Sequence, residues 1–167
     1  LVLRGATAGA GAHTLTLNGT SAAGISNELS GVLSNTGGGT LNVVKQGTNT
    51  WRLSGASTYT GTTNANAGVL EVSNLQNGGV ASSLGSSSNA ASNVHLSGGT
   101  LRYVGAGGTT DRAMTLDNNA ALESSGTGAI VFNSTGAMQN TGAGGQALVT
   151  LTLGGTNLGN NLFGAAL

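Results

Sequence analysis

Apolar side chains recur at every second position in short runs, as in Thr14-Leu15-Thr16-Leu17-Asn18, Asn93-Val94-His95-Leu96-Ser97 and Thr100-Leu101-Arg102-Tyr103. A period of two sends alternate side chains to opposite faces of an extended strand, one buried and one wet. Further runs predict strands at Leu41 to Val44, Trp51 to Leu53, Leu70 to Val72, Ala113 to Leu116, Ala121 to Glu123, Ile130 to Phe132 and Leu148 to Leu153. No segment carries a helical stripe, so the chain reads as nearly all β. Disorder is the competing reading, because Gly, Ser, Thr, Asn and Ala dominate. The alternation decides against it, since a disordered tract has no reason to segregate apolar residues by parity.

The strongest apolar runs stand about 15 to 20 residues apart, a spacing that suits coils of a solenoid better than hairpins. Only Asn18-Gly19 and Asn77-Gly78 are Asn-Gly steps, so tight hairpin turns are scarce. Parallel crossovers are right-handed as a rule. The expected fold is therefore a single-stranded right-handed parallel β-helix, one continuous segment over residues 1–167 and an open-ended fragment of a longer array. Its expected inward residues are Leu15, Leu17, Leu41, Val43, Trp51, Leu53, Leu70, Val72, Leu96, Leu101, Tyr103, Leu116, Ile130, Phe132, Leu151 and Leu153.

Composition narrows the function. Only 6% of the 167 residues are charged, against roughly 25% in ordinary globular proteins. Formal net charge is 0 and aromatics make up 3%, which leaves neither a phosphate-neutralising patch nor a base-stacking platform, so no nucleic acid is expected as a partner. There are 31 Gly, no Pro and no Cys, so turns fall to Gly, Asn, Asp and Ser, and stability falls to packing and backbone hydrogen bonds. No apolar run approaches the ~18 residues of a membrane span, so no membrane insertion is expected. The start, Leu1-Val2-Leu3-Arg4-Gly5, lacks an initiating Met and the pattern of a signal peptide. An excerpt or a processed product is expected.

Residues 43–72 repeat one short statement of strand, glycine and polar turn. They run Val43-Val44-Lys45-Gln46-Gly47-Thr48-Asn49-Thr50-Trp51-Arg52-Leu53-Ser54-Gly55, then Ala56-Ser57-Thr58-Tyr59-Thr60-Gly61-Thr62-Thr63, then Asn64-Ala65-Asn66-Ala67-Gly68-Val69-Leu70-Glu71-Val72. This segment resembles the β-strand repeat of autotransporter passenger domains. It departs from the usual form at Trp51, where a small aliphatic residue is common, and at Thr48-Asn49, where the turn is usually richer in glycine. Ser83-Leu84-Gly85-Ser86, Asn93 to Tyr103, Gly107 to Arg112 and Gly126 to Ala137 resemble segments that follow that repeat in many passengers. The resemblance implies a secreted or cell-surface β-helix of a Gram-negative-type bacterium, exported through the outer membrane.

An internal repeat is also visible. Gly9-Ala10-Gly11-Ala12-His13 leading to Leu15-Thr16-Leu17 returns as Gly142-Ala143-Gly144-Gly145 leading to Leu151-Thr152-Leu153, and Leu29-Ser30-Gly31 returns as Leu162-Phe163-Gly164.

Residues able to carry chemistry are few and dispersed. Glu28, Glu71, Asp111, Asp117 and Glu123 are scattered, without the clustered carboxylates of calcium-dependent lyases or glycosidases. Asp111-Arg112 is the tightest charged pair and reads as a turn with local hydrogen bonding. His13 and His95 are the only imidazoles, and zinc would need further nitrogen or sulfur ligands. No Gly-x-Ser-x-Gly elbow marks a nucleophile. Arg4, Lys45, Arg52 and Arg102 read as solvated residues that discourage lateral sheet pairing. No catalytic residue, cofactor or metal is therefore expected. The expected function is a structural or adhesive passenger segment, not an enzyme, with neighbouring solenoid repeats, further copies end to end, and cell-surface glycans or proteins as partners. The alternatives are a self-assembling extracellular fibre or coat, and a polysaccharide-processing β-helix enzyme. Thr-x-Thr units at residues 14, 58 and 150 raise an ice-binding reading, but they do not recur at a constant coil period.

Overall fold

The computed structural model describes residues 2–20, 26–142 and 148–165; Leu1 and Ala143-Gly144-Gly145 of the sequence repeat lie outside them. Short strands follow one another around a coil, and each successive coil stacks on the last. The first coil holds β1 (Val2–Leu3), β2 (Ala6–Ala8) and β3 (Ala12–Leu17), the second β4 (Ser26–Leu29), β5 (Leu33–Asn35) and β6 (Thr40–Lys45). The third has β7 (Thr50–Leu53) and β8 (Thr63–Ala65). The fourth has β9 (Val69–Val72), a long loop ending in a 3-10 turn at Ala91–Asn93, and β10 (Val94–Leu96). The fifth has β11 (Thr100–Tyr103), β12 (Ala106–Thr110) and β13 (Thr115–Leu116), and the sixth β14 (Ala120–Ser124), β15 (Gly128–Phe132) and β16 (Gln139–Asn140). Strands β17 (Leu151–Gly154) and β18 (Leu162–Phe163) follow.

Every ladder between these strands is parallel. One sheet runs β1-β4-β7-β9-β11-β14-β17, a second runs β16-β13-β10-β8-β6-β3, and the third side is shared by β12-β15-β18 and β2-β5. The expected parallel β-helix is the observed fold. Its coils are less regular than the sequence spacing suggests: Arg52 stacks on Glu71 after 19 residues, Glu71 on Arg102 after 31, and Arg102 on Glu123 after 21. Corners absorb the difference in length, while strand register stays fixed.

That register explains the core. Trp51, Leu70, Leu101 and Leu122 stack as one inward row of the first sheet, and Leu29, Leu53, Val72 and Tyr103 as the next. Leu17, Leu41, Val43, Trp51, Leu53, Leu70, Val72, Leu96, Leu101, Tyr103, Leu116, Ile130 and Phe132 are buried, and Leu15 and Leu151 are half-buried against them. Leu153 is the exception. It lies in register with Leu122, yet it is 53% exposed, because no described strand pairs with the far side of β17. Parity sets which way a side chain points, and burial also needs a neighbouring coil.

Two glycines of the segment at 43–72 are fixed by close approach. A Cβ on Gly61 would collide with the carbonyl oxygen of Leu41 in the coil below, and Gly68 turns the corner at φ +64°. Two residues before Gly61, Tyr59 is fully buried, its hydroxyl 2.6 Å from Thr63 Oγ1, and burial raises its pKa to about 12. Trp51 turns inward as well, and its Nε1 donates to the carbonyl of Asn18 at 3.3 Å.

The internal repeat does not mark equivalent places on the coil. Leu15-Thr16-Leu17 belongs to β3 in the second sheet, but Leu151-Thr152-Leu153 belongs to β17 in the first. Leu29 lies in the first sheet and Leu162 on the third side. Every side of the coil obeys the same alternation and turn chemistry, so local likeness carries no information about which side is occupied.

Candidate functional site

On the outer face of the first sheet, five of the charged residues fall into one file. Glu28 is in register with Arg52, Arg52 with Glu71, Glu71 with Arg102, and Arg102 with Glu123. Signs alternate along the stack, whose strands rise by about 4.8 Å per coil. Arg52 Nε donates to Glu71 Oε2 at 3.0 Å, Arg102 Nη1 approaches Glu71 Oε1 at 3.4 Å, and Arg102 Nε donates to Glu123 Oε2 at 2.6 Å. Ser54 Oγ donates to Glu28 Oε1 at 2.6 Å. Burial alone would lower the Arg102 pKa, and its hydrogen bonds and proximity to Glu123 and Glu71 outweigh that and raise it. Glu71 is only 6% exposed, because an arginine covers it from each side. Beside this file runs a second outward row, Ser26, Thr50, Val69, Thr100, Ala121 and Thr152, nearly all small or hydroxylic.

Lys45, expected in solvent, is inside the solenoid. It shares an inward row with Leu17, Ala65, Leu96 and Leu116, and its side chain is fully buried. Its Nζ donates to the carbonyls of Gln46, Gly47 and Ala67 at 2.6, 2.9 and 3.1 Å, one acceptor for each proton of the ammonium. Burial lowers its pKa to about 8. The free amine of an unfolded chain titrates near 10.5, so between those values the unfolded state binds more protons and stability rises with pH. The difference between wild-type and Lys45→Met melting temperatures should therefore grow from about pH 8 toward pH 10. A flat or falling difference over that window would refute a depressed Lys45.

Asp111 and Arg112 lie in the extended connection between β12 and β13 rather than in a turn, and their side-chain hydrogen bonds are not local. They clamp the loop at residues 73–93 from the following coil. Arg112 is 2% exposed and spends its guanidinium on that loop: Nε on Gln76 O at 3.2 Å, Nη1 on Ser87 O at 3.0 Å, Ser87 Oγ at 3.1 Å and Ser88 O at 3.4 Å, and Nη2 on Gly85 O at 2.9 Å and Val80 O at 3.5 Å. Burial lowers its pKa, with Tyr59 and Asp111 acting in the opposite direction. The Asp111 carboxylate accepts from Gly78 N at 2.7 Å and Asn89 Nδ2 at 3.2 Å, and Asp111 N donates to Asn77 Oδ1 at 3.0 Å. Pinned this way, the loop lays Ser82 against Ser57 and Ser86 against Tyr59, which fills the third side of the coil.

A Ser, a His and an Asp meet on the second sheet without forming a nucleophile and its base. His95 Nδ1 lies 2.8 Å from Asp117 Oδ2 and its Nε2 lies 3.0 Å from the Ser92 carbonyl. Ser97 Oγ donates to the same Asp117 oxygen at 2.7 Å, and Thr141 Oγ1 donates to the other. Both imidazole nitrogens face oxygen acceptors and the Ser97 proton goes to the carboxylate, so no hydroxyl is presented to a free ring nitrogen. Partial burial pushes the Asp117 carboxyl up, and the hydrogen bonds from Thr141, Ser97 and His95 overcome it, holding the pKa below the usual range. His13 is exposed, its Nε2 3.0 Å from Ala10 O. Among the described residues no three of His, Cys, Asp and Glu stand together to hold a metal ion.

The structure thus joins Glu28, Glu71 and Glu123 through intervening arginines and leaves Asp111 and Asp117 in separate hydrogen-bonded clusters. The buried Lys45 and the loop-clamping Arg112 are the charged residues that sequence reasoning misplaced. For Lys45 the signal was present, since Leu41, Val43 and Lys45 share one parity.

Residues 43–72 match the family model described as passenger-associated-transport-repeat. The chain is 50% identical over 129 residues to the adhesin BmaC autotransporter of Brucella suis biovar 1 (strain 1330), a match that covers 75% of this chain and 4% of that protein. No solved structure matches the chain. The matched repeat is the stretch in which Tyr59, Gly61 and Gly68 close a coil between β6 and β9, and the chain accordingly carries a passenger-associated transport repeat and is similar to a small part of an autotransporter adhesin.

Proposed function

We propose that this segment is a rigid, non-enzymatic spacer and contact surface of an adhesive passenger displayed outside a Gram-negative-type cell. The observation that carries the reading is the outer face of the first sheet. Its charges are consumed in the file from Glu28 to Glu123, and the adjacent row presents mostly small and hydroxylic side chains in strict register. Such a face makes many weak polar contacts without a deep pocket, the kind of binding that gains from multivalent display. The similarity to a protein named an adhesin supports the same reading. Cell-surface glycans or proteins are the partners it suits.

The test is attachment of beads coated with the purified chain to epithelial monolayers, against beads coated with the heat-unfolded chain. Saturable attachment by the folded chain alone is the expected result. Equal attachment by both would remove the adhesive role, and turnover of a surface polysaccharide, lost on Asp111→Asn or Asp117→Asn, would replace the reading with an enzyme. A second reading, copies stacked end to end, is favoured by the apolar side chains left uncovered at β17 and β18, where Leu153 and Leu162 are 53% and 54% exposed. Light scattering of the same preparation across a concentration series separates a stacking chain from a monomeric spacer.

A further inference from the structure

The chain's two Asn-Gly steps are held in opposite ways. At Asn18-Gly19 the Gly19 amide nitrogen donates to Asn18's own Oδ1 at 2.7 Å, one carbonyl bond away from Cγ. Asn18 and Gly19 are both exposed, so water reaches the group. At Asn77-Gly78 the corresponding amide is turned elsewhere: Gly78 N donates to Asp111 Oδ1 at 2.7 Å, and Asn77 Oδ1 accepts from Asp111 N at 3.0 Å. Asn118 shares the first geometry, with Asn119 N 2.8 Å from its Oδ1, but the residue that follows it carries a side chain that crowds the attacking nitrogen.

We propose that Asn18 is a site of spontaneous conversion to aspartate and isoaspartate in the folded protein, and that Asp111 protects Asn77 from the same reaction. The Gly19 amide gives its proton to solvent base and its nitrogen bonds to Asn18 Cγ. The Cγ–Nδ2 bond breaks and the nitrogen leaves as ammonia after taking up a proton. The five-membered imide that results is opened by one water at either carbonyl, so the chain gains water and loses ammonia. Opening at one carbonyl leaves aspartate, and opening at the other routes the main chain through Cγ. Either product adds a negative charge, and the isoaspartyl product also displaces the Asn18 carbonyl that accepts from Asn49 Nδ2 and Trp51 Nε1, both at 3.3 Å. The modification therefore acts at a corner where the first coil is tied to the third.

The test is peptide mapping by mass spectrometry of the folded chain aged at mildly alkaline pH, with a denatured sample aged in parallel. The expected result is conversion at Asn18 about tenfold faster than at Asn77 in the folded chain, the factor given by about 1.4 kcal/mol in barrier, and near-equal rates once the chain is denatured. Asp111→Ala should raise the Asn77 rate in the native buffer and leave the Asn18 rate unchanged. Equal rates at the two steps in the folded wild type, or conversion at neither while the denatured sample converts at both, would overturn the proposal.

Discussion

Leu70→Asp should abolish cooperative folding, whereas Arg52→Ser should shift the melt only slightly. Leu70 is fully buried and sits between Trp51 and Leu101 in the inward row of the first sheet. Losing its side chain forfeits about 1.5 to 3 kcal/mol of burial, and a carboxylate there would be desolvated among apolar neighbours with no partner in its row. Together these rival the whole stability of a small domain, about 5 to 15 kcal/mol. Arg52 points the other way, is 40% exposed, and takes part in an ion pair whose loss costs on the order of 1 kcal/mol at such exposure. Glu71→Ser belongs between them. It leaves Arg52 and Arg102 facing each other across the strand, although both can turn toward water. Far-ultraviolet circular dichroism melts rank the three variants, and a Leu70→Asp melt no lower than that of Arg52→Ser would refute the register.

The strands were legible because alternation is a local property: Thr100 to Tyr103 shows its buried Leu101 and Tyr103 without reference to any other coil. Lys45 was equally legible by parity and was hidden by the expectation that an ammonium faces water. Three backbone carbonyls at the corner make its burial tolerable, and backbone acceptors leave no mark in a sequence. The file of charges needed more. Glu71 meets Arg52 and Arg102 only because coils of 19 and 31 residues bring them into register. Those lengths are set by how much chain each corner absorbs, which a search for a constant period cannot recover. Leu153 shows the converse, a residue with the right parity that lacks a covering strand.

The irregular coil lengths also have an electrostatic consequence. A parallel stack with one sign repeated at each level would set like charges about 4.8 Å apart, whereas the alternation from Glu28 to Glu123 sets an opposite charge above and below each inner member. A coil paired out of register by one residue would bring Arg52 or Arg102 to the inward row and Leu53 or Tyr103 outward. Charge and hydrophobic parity therefore reject the same error. With so few charges in the chain, placing half of them in this file makes it a device for fixing register rather than for solubility.

Arg112→Leu should release the loop at residues 73–93 while leaving the stacked sheets in place. The guanidinium donates to five backbone carbonyls and one hydroxyl of that loop. A leucine preserves bulk but orphans those acceptors, each of which costs about 1 to 3 kcal/mol if it stays buried unpaired. The loop's cheapest response is to swing its carbonyls out to water, which also uncovers Tyr59 and Ser57 beneath it. The expected outcome is loss of amide-exchange protection and gain of protease sensitivity between Gln76 and Ser88, with a global destabilisation of about 3 to 5 kcal/mol, the usual cost of removing one side of a buried charged network. Arg112→Lys should recover only part of this, because an ammonium has three protons to divide among acceptors spread from Gln76 to Ser88. Unchanged protection of the loop in Arg112→Leu would mean that Asp111 and the Ser57–Ser82 bridge hold it unaided. The buried arginine would then be a passenger in the core rather than the clamp that lets a coil of 31 residues stack on one of 19.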